Sequence, residues 1–91
     1  MKIKSQSIDG VSLKGKILVM KEDHLKQEYR TIGHRLHKAT GGFGCEPFLM
    51  GRAIFATCLA DHMDDRWNRD DFEGWVTEEE ANELLKNHGR G

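Results

Sequence analysis

Three glycines in four residues, Gly41, Gly42 and Gly44, interrupt the chain near its middle. Glycine lacks a Cβ and loses more backbone freedom on folding than any other residue, so the run penalises helix and strand alike. Residues 40–44 therefore read as loop or strongly bent backbone, and Pro47 extends the irregular stretch to Gly51. Whatever regular structure forms must meet across that bend.

On the N-terminal side, residues 15–20 (Gly-Lys-Ile-Leu-Val-Met) follow the turn-prone Ile8-Asp9-Gly10 and read as a strand. Leu25 and Tyr29, four apart within residues 22–29, predict a short middle helix. Residues 31–38 alternate, with Ile32, His34 and Leu36 opposed to Gly33, Arg35 and His37, which predicts a second strand.

On the C-terminal side, residues 52–59 give the clearest strand. Phe55, Thr57 and Leu59 share one face and Ile54, Ala56 and Cys58 the other, so both faces are largely apolar and a central strand covered on both sides is expected. Residues 61–65 read as a turn and 66–69 as a returning strand. Thr77-x-x-Glu80 is a capping box, with Glu78 and Glu79 where the helix dipole favours negative charge. Ala81, Leu84, Leu85 and His88 follow at helical spacing, Lys86 sits in the last turn and Gly89 is a stop, so a helix over 77–87 is expected. The pattern predicts one α+β domain spanning 1–91. Its core would be a small antiparallel sheet, or a partly closed barrel, with a short middle helix and a C-terminal helix.

Size and composition narrow the function. The chain has 91 residues, of which Leu, Ile, Val and Phe supply only 20, so the core is lean and a metal or a partner would help it. The longest apolar run, residues 53–60, is too short to span a bilayer. The first seven residues lack the apolar stretch of an export signal, and two cysteines make no disulfide framework. A cytoplasmic protein with reduced thiols is expected.

The formal net charge of −1 hides a polarity. Residues 1–38 carry nine Lys or Arg and four acids, whereas residues 61–83 carry ten acids against Arg66 and Arg69. An acidic surface of that density attracts basic partners, and nucleic-acid-handling clefts are the commonest basic surfaces. Folding that sets the basic half against the acidic half would cancel the field instead.

Two constellations could carry chemistry. Cys45 and Cys58, with His62 and with His34 or His37, supply the thiolate and imidazole donors that a closed tetrahedral zinc site needs. Such a site would be structural and not catalytic, because four protein ligands leave no position for water. The competing reading makes Cys58 a small buried apolar residue and Cys45 a turn thiol. A thiol hydrolase built on Cys45 with His34 or His37 lacks an orienting acid, so no enzyme is expected. Second, Arg66-Trp67 and Trp75 are interface-forming residue types flanked by Asp64, Asp65, Asp70 and Asp71. Those acids disfavour a phosphate backbone nearby, and direct nucleic-acid binding falls instead to the basic N-terminal half.

The runs Ala39-Thr40-Gly41-Gly42-Phe43-Gly44-Cys45, Gly51-Arg52-Ala53-Ile54-Phe55-Ala56-Thr57 with Asp61, and Arg66-Trp67-Asn68-Arg69 with Asp71-Phe72-x-Gly74 resemble small proteins carried by phages, plasmids and integrative elements of Gram-positive bacteria. The likeness covers residues 29–74. It implies a mobile-element origin, and inhibitors of CRISPR nucleases are similar in size, acidity and setting. After Leu59-Ala60-Asp61 such proteins usually have Gly-Glu where this chain has His62-Met63, so a ligand role for His62 would be particular to it. The function expected is a binding protein that occludes a basic host protein, most concretely an RNA-guided nuclease. The alternative is a small nucleic-acid-binding accessory protein.

Overall fold

The computed structural model describes residues 3–24, 31–48 and 50–88. Five strands, β1 (Ile17–Met20), β2 (Leu36–Gly41), β3 (Ala53–Cys58), β4 (Asp64–Asn68) and β5 (Phe72–Val76), form one open antiparallel sheet in the order β4-β3-β2-β1-β5. A single turn of helix, α1 (Ile32–Arg35), precedes β2, and α2 (Glu78–His88) closes the chain. The architecture is α+β. The sheet does not close, so the open form of the two expected is the one adopted.

Each face of the sheet has its own apolar layer. Ile17, Val19, Leu36 and Val76 face α1 and α2, where Ile32 and Ala81 are buried and Leu84 and Leu85 pack partly against them. Leu18, Met20, Ala39, Ile54, Ala56 and Phe72 face the opposite way, under Leu13 and Cys45 from the connecting segments. All four residues of β1 are buried, which makes it the strand covered on both sides. β3 is not that strand. It lies next to the edge, and its outward Phe55 is 50% exposed.

β5 serves both layers because its register slips. Val19 pairs with Gly74 but Met20 pairs with Phe72, so Glu73 is an extra residue and Phe72 turns onto the opposite face from Val76. Arg35, buried at the end of α1, fixes that bulge: its Nε donates to the Met20 carbonyl oxygen at 3.1 Å and its guanidinium pairs with Glu73. The N-terminal segment then adds a two-way backbone bridge between Gln6 and Trp75, each hydrogen bond 2.9 Å long. A side chain at Gly74 would lie 2.2 Å from Ser5 Oγ, so only glycine admits this approach.

Several boundaries differ from expectation. The strand expected over 31–38 begins only at Leu36, because the Thr31 hydroxyl accepts from His34 N–H and caps a helical turn that buries Ile32 and Arg35 together. β2 runs on through Gly41, with a second bulge between Ala39 and Gly41, before the chain bends at Gly42 (φ 109°) into a 3-10 turn at Phe43–Cys45. A turn was expected over 61–65 and a strand over 66–69. β4 instead starts at Asp64, and Arg69 opens a 3-10 turn. β5 was not anticipated. The expected middle helix over 22–29 is described only as a 3-10 turn at Glu22–His24, and residues 25–29 lie outside the described residues.

The C-terminal helix forms as expected. Glu80 N–H donates to Thr77 Oγ1 at 3.1 Å and Thr77 N–H to Glu80 Oε1 at 3.0 Å, a reciprocal box that holds the Glu80 carboxyl below its ordinary pKa. Thr77→Ala should lower unfolding free energy by about 1 kcal/mol, read from the midpoint of urea denaturation.

Candidate functional site

The strand register sorts the expected site residues. His37 opposes Cys58 in the β2–β3 ladder, and Trp67 and Asp65 enter the same face through their pairing with Ile54 and Ala56. With His34, Asp61 and Met63 these side chains wall a pocket of about 170 Å³ at the end of the sheet, beside the β3–β4 turn. His34 and His37 thus meet Cys58, Asp61, Asp65 and Trp67, all far from them in sequence, at one corner.

Cys45 and His62 do not join them. Cys45 is packed in the apolar layer beneath the 3-10 turn, and its thiol donates to the Gly41 carbonyl oxygen at 3.2 Å. Gly41 stands four residues along β2 from His37, and a rise of about 3.3 Å per residue puts roughly 13 Å between the two positions. Burial pushes the Cys45 thiol above its ordinary pKa, with Glu46 adding to the effect, so it stays protonated and is a poor nucleophile. His62 lines a different cleft, against Leu59, Asn82, Leu85 and Lys86 of the helix side. Among the described residues no three His, Cys, Asp or Glu side chains converge as metal ligands, and the expected set of Cys45, Cys58, His62 and one of His34 or His37 is not brought together.

His62 instead occupies a left-handed backbone conformation, φ 60°. Glycine adopts that region without steric cost, whereas a residue with a Cβ does not. Asp61 Oδ1 accepts from Met63 N–H at 3.0 Å across the same turn, which lowers the Asp61 carboxyl pKa. Sequence spacing reveals neither feature.

His37 is the most constrained group at the corner. It is 3% exposed, its ring meets those of Trp67 and Phe72 edge-on at 5.4 and 5.9 Å, and Nε2 lies 2.9 Å from the His34 carbonyl oxygen. A carbonyl only accepts, so Nε2 carries the proton and Nδ1 of the neutral ring is a bare acceptor. Nδ1 has no partner among the described residues, and neither has Trp67 Nε1. Burial lowers the His37 pKa below 6.5, outweighing the His34 carbonyl and the Asp61 and Asp65 charges, which raise it. The Cys58 thiol, which points at the Gly33 carbonyl oxygen, is pushed up by burial and is also neutral.

The expected partner-facing residues divide into tied and untied groups. Asp71 caps Asn68 N–H at 2.8 Å and accepts from His24 at 2.8 Å, and Asp70 pairs with Arg52. Trp75 is half-buried, with the Lys16 ammonium 4.6 Å from its ring centroid. Asp64 accepts from the Thr57 hydroxyl and Asp65 Oδ1 from the Arg66 N–H at 2.7 Å, and all three residues from Asp64 to Arg66 are exposed on β4, the open edge. No Lys or Arg among the described residues is ion-paired with Asp61, Asp64 or Asp65. Comparison with family models, with curated proteins and with solved structures finds no match to this chain.

Two outcomes test this corner. Because His37 binds its proton more weakly folded than unfolded, stability should be full above about pH 6.5 and fall as pH drops toward the depressed pKa. His37→Gln should flatten the slope of unfolding free energy between pH 7 and 5 relative to wild type. His62→Gly should raise stability by about 0.5 kcal/mol in the same assay, relief of left-handed strain outweighing the added entropy of the unfolded chain.

Proposed function

We propose that the protein is a binding protein whose acidic β4 edge docks on a basic surface of a nucleic-acid-handling protein and occludes it. The observation that carries this reading is the open edge itself, with Asp64 and Asp65 exposed and no lysine or arginine among the described residues paired with them. Uncompensated surface carboxylates speed encounter with a cationic partner and set its orientation. Arg66, exposed between Asp65 and Trp67, supplies the contrasting charge that fixes register. The mobile-element resemblance of residues 29–74 supports a host defence protein as target, and an RNA-guided nuclease is its most concrete form. On this reading the protein acts in the host cytoplasm, by occlusion and without catalysis.

A second reading rests on the uncovered part of the helix-side face. Lys38 and Phe55 lie exposed there with Arg66 directly opposite Phe55, an aromatic flanked by cations of the kind on which single-stranded bases stack. The two readings separate in one pair of measurements. Asp64→Asn with Asp65→Asn should weaken capture of a purified RNA-guided nuclease at least tenfold at low salt and flatten its salt dependence, with the fold intact by circular dichroism. Asp71 is left unchanged because it caps Asn68. Unchanged capture removes the electrostatic basis of the first reading, and retention of single-stranded nucleic acid by the isolated protein, lost in Phe55→Ala, establishes the second.

A further inference from the structure

We infer that the Asp65 carboxylate keeps the open edge of the sheet from pairing with a second copy of this chain. It does so by holding the outward backbone N–H of Arg66 and by setting like charges opposite each other in the one register that would otherwise attract.

An open sheet presents unpaired backbone groups at its edges, and these are a template for another strand. At β5 the edge is covered by backbone, because Gln6 and Trp75 exchange both hydrogen bonds at 2.9 Å. No strand among the described residues covers β4. In an antiparallel pair, alternate residues turn their N–H and C=O toward the neighbouring strand. The Arg69 N–H donates to the Arg52 carbonyl oxygen at 2.8 Å and the Cys58 N–H to the Met63 carbonyl oxygen at 3.0 Å. Positions 63, 65, 67 and 69 therefore face β3, and positions 64, 66 and 68 face outward. Two of those three outward donors are already used: Arg66 N–H donates to Asp65 Oδ1 at 2.7 Å and Asn68 N–H to Asp71 Oδ2 at 2.8 Å.

The two carboxylates differ in what else they do. Asp71 completes the capping box of the 3-10 turn and accepts from His24, so its bond to Asn68 belongs to the fold. Asp65 is exposed, and its side chain has no other hydrogen bond or ion pair among the described residues. Register shows why this position matters. Two β4 strands pairing antiparallel about Arg66 set Arg66 against itself, which repels. Centred on Asp65, the pairing sets Asp64 of each copy opposite Arg66 of the other, which attracts, and its ladder needs the Arg66 N–H. What opposes that register is Asp65 itself. Its carboxylate would meet its own copy at the closer, non-hydrogen-bonded spacing, and it already occupies the Arg66 donor.

The test follows the full chain by sedimentation velocity over a concentration series, with amide hydrogen exchange at Arg66 read by NMR. Wild type should remain monomeric. Asp65→Val removes acceptor and charge together, and should self-associate at least tenfold more tightly than wild type, with Arg66 N–H exchange slowing as concentration rises. Asp65→Ala adds no β-branched apolar surface and should show the same concentration-dependent protection, which separates edge pairing from apolar clustering. Asp65→Asn drops the charge but keeps an oxygen that accepts from Arg66 N–H, and should stay closer to wild type than to Asp65→Val. Wild type that dimerises, folded Val and Ala variants that both stay monomeric, or association that leaves Arg66 exchange unchanged would each overturn the inference. Association of Asp65→Asn as tight as that of Asp65→Val would overturn the role of the hydrogen bond. None of these outcomes depends on what the edge docks on, so they stand apart from the nuclease-capture result.

Discussion

The buried guanidinium of Arg35 holds the two halves of this small core in register. It reaches from the end of α1 to the Met20 carbonyl at the end of β1 and to Glu73 in the bulge of β5. Glu73 remains part-exposed, so the pair is only partly desolvated, but the arginine is not, and losing its partner would leave a charge stranded in an apolar setting. The bulge it holds determines which residues of β5 face which layer. Without the slip Phe72 would face the helices with Val76, and the layer containing Leu13, Leu18 and Cys45 would lose its fully buried aromatic. A chain poor in large apolar residues uses one irregular strand to supply both sides of the sheet.

That economy explains what could be read from the sequence and what could not. The capping box at Thr77 and Glu80 is local, contained within four residues, and is visible without knowing the fold. The alternation of Ile54, Ala56 and Cys58 is local too, and their common face forms as expected. β5 escapes because its bulge breaks the period of two: Phe72 and Val76 are an even number of residues apart, yet the extra residue Glu73 turns them onto opposite layers. The turn at Ile32–Arg35 escapes for a different reason. Ile32 and Arg35 are buried together at helical spacing, but an arginine does not look like a core residue until its partners, Met20 and Glu73, are in view. The candidate ligands show the same limit. Composition supplied cysteines and histidines, whereas convergence depends on register, which brings Cys58 to His37 and leaves Cys45 at the other end of the strands.

Charge follows the same logic at larger scale. The acidic run from residue 61 to 83 is continuous in sequence and divided in space, because β4 and β5 are opposite edges of the sheet. Asp70 pairs with Arg52, Asp71 hydrogen-bonds to His24 and Glu73 pairs with Arg35, so one cation of the basic N-terminal half, Arg35, does fold against the acidic half. Lys4 lowers the Glu80 pKa in the same sense at the helix. Around the sheet, the carboxylates of this run with no lysine or arginine ion pair among the described residues are Asp61, Asp64 and Asp65, at the edge that no other strand covers, and Glu78, Glu79 and Glu83 are likewise unpaired on α2.

The same corner concentrates the features that cost stability. His62 holds a left-handed backbone that costs a non-glycine residue about 1–2 kcal/mol. Each buried polar atom left unpartnered, as His37 Nδ1 and Trp67 Nε1 are, costs roughly 1–3 kcal/mol more. Domains of this size have on the order of 5–15 kcal/mol in total, so these costs are a large fraction of what a lean core supplies. Elsewhere Arg69 reaches the Gly44 and Ile8 carbonyls and Arg35 reaches Met20, while Trp75 Nε1 on β5 is also without a partner among the described residues. Strain and unmet hydrogen-bonding capacity gather where a fold meets something outside itself, because an external group can supply what the interior does not.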